Sequence, residues 1–146
     1  MRNMYENLFV YALLYAVGYD TVQKYRDSLD SIVLADLEDY EAMELQDMSD
    51  KEAILHTLVM MESVNFDKNS FGQKLMVALK EIYEGMSDIT VFGNRMYELW
   101  RLLPGRFNME EPFHTLSYAD DCLSYGDEKQ CHELYEEAFG FYGDCV

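Results

Sequence analysis

The stretch DITVFGNRMYELWRLLPG, residues 88–105, carries the clearest helical pattern in the chain. Apolar side chains recur in it at the three- and four-residue spacing that places them on one face of an α-helix. They are Ile89, Phe92, Met96, Leu99, Trp100 and Leu103. Ser87 or Asp88 is a candidate N-cap, and Pro104-Gly105 ends the pattern. The stretch therefore predicts an amphipathic helix with a defined start and end.

The remaining segments predict more helices, because the chain has only two prolines and no strong alternation of apolar and polar residues. Ser49 opens S-D-K-E, a capping box in which Ser49 and Glu52 are expected to satisfy each other's amides. Gly85 is expected to be a left-handed C-cap. The other helices are expected at about 3–17, 28–46, 68–84, 116–125 and 127–139, with 20–26 a short helix or connector and 105–114 a loop. We predict an all-α fold, a compact bundle of six or seven helices, in a single domain, 1–146.

Charge is distributed very unevenly along the chain, whose formal net charge is −17. Residues 27–52 carry ten acids and one base, and residues 107–146 repeat that count. Residues 1–26 have a net charge of +1, and residues 53–106 are neutral. Nearly all the excess charge therefore lies in two segments, and no lysine or arginine occurs between Arg26 and Lys51.

In the predicted helix over 28–46, one acidic face lies opposite an apolar face. The inward residues are expected to be Leu29, Ile32, Val33, Tyr40 and Met43. Like charges three residues apart each cost a few tenths of a kcal/mol in an isolated helix, so something other than helix stability is expected to select these carboxylates. The candidate partner-binding residues are Asp30, Glu38, Glu41, Glu44 and Asp47 here, and Asp120, Asp121, Glu133, Glu136 and Glu137 near the C-terminus.

The charge excludes some partners and favours others. Direct binding to nucleic acid or to an anionic membrane is disfavoured, since both carry negative charge. The favoured partner is a basic protein or a nucleic-acid-binding enzyme, whose basic groove a row of carboxylates would occupy in place of a phosphate backbone. In composition, though in no motif, the chain resembles small acidic inhibitors such as toxin-immunity proteins, antitoxins and phage anti-defence proteins. We therefore expect a non-catalytic inhibitor.

Two other interpretations stay open. The acidic residues could be only a solvated face, on a structural or assembly protein that forms homo-oligomers through the first helix or the 89–103 helix. An unrecognised metal-dependent or cysteine enzyme is the third interpretation, but the motifs do not favour it. DKNSFG (67–72) lacks the acidic residue that ends an EF-hand loop, and His114, Cys122, Cys131 and His132 lack zinc-ligand spacing. No cofactor or metal is predicted, and the chain is predicted not to be an enzyme.

The apolar run LFVYALLYAV (8–17) is too short to span a bilayer. It could pass for a signal-peptide core with a cleavage site at Ala16-Val17-Gly18, but Glu6 precedes it and tyrosines dilute it. We interpret it as a first helix that is central or part of an oligomer contact. An odd number of cysteines, Cys122, Cys131 and Cys145, is no disulfide framework and favours the cytoplasm.

Overall fold

In the computed structural model of the chain, residues 2–143 are described, with the side chains of residues 4–143. Eight α-helices and one 3-10 helix occur in this range, and no strand. The α-helices are α1 (Arg2–Ala16), α2 (Val22–Ala35), α3 (Tyr40–Asp47), α4 (Asp50–Ser63), α5 (Lys68–Gly85), α6 (Ile89–Leu102), α7 (Thr115–Tyr118) and α8 (Glu128–Phe139), and the 3-10 helix is Ala119–Tyr125. The all-α prediction is confirmed, whereas the predicted count of six or seven helices is too low.

The helices fall into two compact units, the first ending at Phe71 and the second beginning at Gly72. The single domain over 1–146 stays a prediction. Within residues 2–143, no helix is both long enough and apolar enough to cross a membrane. Cys145 lies outside the described residues.

The first unit is built around α1, which packs mainly against α2 and α4. Leu8, Val10, Leu13 and Leu14 point to different sides of this helix, and all four are buried. The interpretation of α1 as a central helix is therefore confirmed. Its Glu6 is fully buried, and its carboxylate accepts a hydrogen bond of 2.6 Å from the Ser70 hydroxyl.

Between α2 and α4 the buried polar groups are paired. The Tyr25 hydroxyl lies 2.6 Å from the Thr57 hydroxyl and 3.2 Å from the Ala53 carbonyl oxygen. A hydroxyl buried without such partners would be destabilising. At the start of α4, the Ser49 hydroxyl accepts from the Glu52 amide at 3.3 Å and donates to the Glu52 carboxylate at 3.0 Å. The predicted helix start at Ser49 is confirmed.

The helix predicted over 28–46 is wrong as a single element. Helix α2 begins at Val22, inside the predicted connector, and ends at Ala35; residues 36–39 form a turn, and α3 begins at Tyr40. The break also overturns the predicted inward direction of Tyr40, whose side chain is 69% exposed. A helical phase carried across a turn does not predict which face a residue occupies, because the turn resets the rotation.

Two other boundaries differ from prediction. Gly85 is the last residue of α5 and has no positive φ, so it is not a left-handed C-cap. The helix predicted over 116–125 is a single turn of α-helix followed by a 3-10 helix, which ends at Gly126 with φ 80°. Gly126 therefore adopts the left-handed conformation that glycine tolerates without strain.

The second unit has an aromatic core in which Phe92 of α6 is central. The Phe92 ring lies 5.5 Å from that of Tyr83 and 5.1 Å from that of Tyr135, in edge-to-face geometry. The predicted core face of α6 is confirmed for Phe92, Met96 and Leu99, which are buried. Asp88 caps this helix by accepting from the Thr90 amide at 2.9 Å.

Glycine is required at position 93 by close packing, because a β-carbon there would lie 2.7 Å from the Asp120 β-carbon. We expect Gly93→Ala to lower the free energy of unfolding by about 1–3 kcal/mol, the usual cost of overpacking a core. Urea denaturation measures the change. Gly85→Ala is the matched control, since nothing lies within 4 Å of its added carbon and alanine favours helix. Equal stability of the two variants would contradict the packing argument.

Candidate partner-binding surface

Arg26, on α2, binds several groups of the acidic segment, residues 27–52. Its Nη1 donates to the Leu45 carbonyl oxygen at 3.2 Å and its Nη2 to the Met48 carbonyl oxygen at 2.8 Å. The same guanidinium pairs with the Asp50 carboxylate, with an Nη2–Oδ1 distance of 2.7 Å. Met48 is the C-cap residue of α3, and its own amide also donates to the Leu45 carbonyl oxygen at 3.2 Å. Arg26 therefore holds the C-terminal end of α3 and the start of α4 against α2.

The other end of α3 is fixed by the turn over 36–39. The Asp36 carboxylate accepts from the Glu38 amide at 3.0 Å, and the Asp39 carboxylate accepts from the Ala42 amide at 3.1 Å. Asp39 is thus an N-cap, and its second oxygen accepts a 2.5 Å hydrogen bond from the Tyr5 hydroxyl. Burial raises the pKa of Tyr5, and the bond to Asp39 raises it further. Two carboxylates of the acidic segment therefore serve the fold.

The five candidate partner-binding residues of this segment lie at the surface. Asp30, Glu38, Glu41, Glu44 and Asp47 are all exposed. Glu41, Glu44 and Asp47 follow one another at three-residue spacing on α3. Glu44 and Asp47 lie on the side of the helix away from the buried Ala42 and Leu45.

Asp30 lies beside the same helix, because its carboxylate accepts from the Gln46 side-chain amide at 2.9 Å. Glu38 lies in the turn that precedes α3. The structure therefore brings the five predicted residues onto α2, the turn and α3, rather than onto one straight helix.

Large apolar side chains are exposed among these carboxylates. Leu34 is 79% exposed and Leu37 is 67% exposed, and Tyr40 at the start of α3 is comparable. Single exposed apolar residues are ordinary, but a group of them is typical of a contact surface. Sequence reasoning missed this group, because Tyr40 was assigned to the core.

The outer face of α4 continues this surface. The His56 imidazole Nε2 lies 3.8 Å from the Glu41 carboxylate, which places that face of α4 beside α3. Leu55 and Val59 lie on the same side of α4 as His56, one turn apart, and are 55% and 70% exposed. Since α3 and α4 are joined by only two residues, Val59 lies roughly 4–5 Å beyond His56 along α4, toward the level of the 36–39 turn.

The candidate partner-binding residues near the C-terminus differ from one another in exposure. Asp121, Glu133, Glu136 and Glu137 are exposed, but Asp120 is half-buried against Gly93. Burial raises the pKa of the Asp120 carboxyl, and the charge of Asp121 raises it further. Asp120 thus contributes to packing, and Glu133 faces Lys129 at 3.9 Å. This segment offers fewer uncompensated charges than the first one.

Glu136 belongs to a polar cluster that joins α5 to α8. The Tyr83 hydroxyl donates to Glu136 Oε2 at 2.8 Å and lies 2.5 Å from His132 Nδ1, while His132 Nε2 lies 3.6 Å from Glu128. Burial and the bond to Glu136 raise the pKa of Tyr83, so the phenol stays protonated and is not a base.

A cavity of about 300 Å³ lies beside this cluster, lined by Lys80, Tyr83, Glu84, Glu136, Phe139 and Gly140. These side chains include acids, a cation and a phenol, but no thiol and no serine or threonine hydroxyl. His132 thus contacts an acid of its own helix, Glu128, and a tyrosine of α5, Tyr83.

The thiols in the described range are buried and free, at Cys122 and Cys131. Burial, with the neighbouring Cys122, raises the pKa of the Cys131 thiol to about 11. A thiol in that state is a poor nucleophile at neutral pH. Among residues 2–143, no three histidine, cysteine or acidic side chains are grouped so that they could hold a metal ion.

The anchoring role of Arg26 predicts a loss of stability when its hydrogen bonds are removed. We expect Arg26→Met to lower the free energy of unfolding by about 2 kcal/mol, since hydrogen bonds to charged groups each contribute about 1.5–3 kcal/mol. Lys24→Met removes an equal charge from an exposed site on α2 and is the control. Chemical denaturation of both variants measures the effect, and equal stability would refute the anchoring role.

The Tyr5–Asp39 bond predicts a pH dependence. Above about pH 10 the unfolded chain ionises Tyr5, whereas the folded chain holds the proton because its pKa is raised. The contribution of Tyr5 is therefore complete below pH 10 and is lost as pH rises through the folded pKa. Tyr5→Phe should cost less stability at pH 10.5 than at pH 8, as measured by urea denaturation. A cost that does not change with pH would contradict this prediction.

Comparison with protein families, with curated proteins and with solved structures finds no match to this chain.

Proposed function

We propose that this chain is a non-catalytic acidic binding protein that inhibits a basic or nucleic-acid-processing protein. The most specific form of the proposal is an immunity, antitoxin or phage anti-defence protein. Its α2–α3 surface would occupy the basic groove in which the partner holds nucleic acid. Action in the cytoplasm, without a cofactor, is part of the same proposal.

The observation that carries the proposal is the uncompensated charge on this surface. Glu38, Glu41 and Glu44 are exposed. Arg26 is bound to Asp50 and to backbone carbonyl groups, and His56 lies 3.8 Å from Glu41. A surface with this field attracts cationic partners and raises their association rate.

The order imposed on the acidic segment also supports binding. Arg26 fixes one end of α3 and Asp39 caps the other, so the outer carboxylates are held in place before a partner arrives. Preorganisation of this kind lowers the entropy lost on association. The turn at 36–39 distributes the charges over two helices, so the proposed likeness to a phosphate backbone is one of charge density rather than of a straight row.

A homo-oligomeric structural protein is the second proposal, and α6 is the helix that favours it. Val91, Tyr97 and Leu102 on α6 are between 37% and 46% exposed. The large aliphatic residues of α1, Leu8, Val10, Leu13 and Leu14, are buried within the chain and give no support to an oligomer through that helix. Light scattering after size exclusion distinguishes the two proposals, since association through apolar faces persists at high salt.

The inhibitor proposal is tested with a triple variant, Glu38→Lys, Glu41→Lys and Glu44→Lys. After capture from the native host, the partner is produced pure and its affinity for each variant is measured by calorimetry. We expect the triple variant to bind at least about tenfold more weakly, roughly 1.4 kcal/mol or more. Raised salt should weaken the wild-type complex, and the partner should lose nucleic acid when this chain binds.

The matched control reverses Glu81, Glu84 and Glu98, three exposed acids of the neutral segment. This control variant carries the same change in net charge but should keep near wild-type affinity. Binding that survives both high salt and the first triple variant would refute the electrostatic proposal.

A further inference from the structure

We infer that the α3–α4 hairpin is a docking surface for one kind of element, a basic amphipathic helix of the partner protein. The inference rests on the proposed function and adds to it the shape and chemistry of the bound segment. Four exposed residues, Leu37, Tyr40, Leu55 and Val59, form what we call the apolar hairpin group.

The apolar hairpin group requires an apolar occupant. All four side chains are between 55% and 70% exposed. Carboxylates alone would fit a phosphate-binding groove, but apolar side chains gain nothing from lysine and arginine head groups. Burying apolar surface is favourable only against another apolar surface. The bound segment must therefore present apolar side chains as well as cations.

The arrangement of the group favours a helix as the occupant. Leu55 and Val59 are four residues apart on α4, so they form a ridge of the type that packs between the side chains of another helix. The Glu41–His56 contact of 3.8 Å joins this ridge to α3, whose first residue is Tyr40. A helix with apolar residues at i, i+3, i+4 and i+7 is the partner that such a surface commonly accepts.

Charge complementarity decides between a partner helix and a second copy of this chain. Glu38, Glu41 and Glu44 are exposed, and in the sequence they lie next to Leu37 and Tyr40 of the apolar hairpin group. A symmetric dimer through this face would bring two such sets of carboxylates together, which costs free energy. A helix with lysine or arginine beside its apolar stripe pairs with the same carboxylates. We therefore assign the surface to a basic helix.

Two synthetic peptides test the assignment. Both contain about 18 residues, roughly five helical turns, with one composition of leucine, lysine and arginine. In the patterned peptide the leucines form one helical face, and in the scrambled peptide they do not. Affinity for the full chain is measured by fluorescence anisotropy at about 0.05 M and about 0.3 M salt. The wild-type chain should prefer the patterned peptide by about tenfold.

The decisive variant replaces Leu55 and Val59 with serine. It should lose the preference for the patterned peptide while its salt dependence is unchanged. Val91→Ser with Leu102→Ser is the matched control, since it removes exposed apolar side chains from α6 and should keep the preference. Circular dichroism verifies that both variants are folded.

Three results would overturn the inference. Equal affinity of the wild-type chain for both peptides would do so, as would an undiminished preference in the Leu55/Val59 variant. In either case, if peptide affinity still falls with salt and with reversal of Glu38, Glu41 and Glu44 to lysine, the proposed function stands without this inference. If peptide affinity responds to neither change, the proposed function and this inference both fail. Self-association that disappears in the Leu55/Val59 variant would instead assign the surface to a second copy of the chain.

Discussion

The placement of the acidic surface depends on one guanidinium group. Arg26 lies at the boundary between a nearly neutral N-terminal segment and the acidic one, and it binds the end of α3, the following turn and the start of α4. An eight-residue helix is too short to be stable alone. Without Arg26, the carbonyl groups at the end of α3 and the carboxylate of Asp50 would each lose a partner.

Carboxylates in this chain have two distinct physical roles. Asp36, Asp39 and Asp88 accept hydrogen bonds from backbone amides, which stabilises turns and helix starts. Glu41 and Glu44 accept no such bond and repel one another across one turn of α3. The high acidity thus divides into a part that the fold explains and a part that it does not, and the second part is the basis of the functional proposal.

Local signals in the sequence predicted local structure well. The period of α6 and the Ser49 cap are encoded within a few residues, and both were confirmed. The prediction of one helix over 28–46 took no account of Asp36 and Asp39, although aspartate favours turns and N-caps. The exposure of Tyr40 and the Tyr83–His132 contact were not predicted, since one follows from that missed turn and the other joins residues 49 positions apart. The division into two units was also not predicted, because Phe71 and Gly72, where the units meet, both lie within the continuous helix α5.

The way α3 is held has a consequence for how this protein can change. Its conformation is determined by Arg26 at one end, Asp39 at the other and the buried Ala42 and Leu45 between them. The exposed positions, including Glu41 and Glu44, contribute little to the conformation of α3. Substitutions there alter the charge of the exposed face while the scaffold persists. Under the proposed function, such a separation would let binding specificity diverge without loss of the fold.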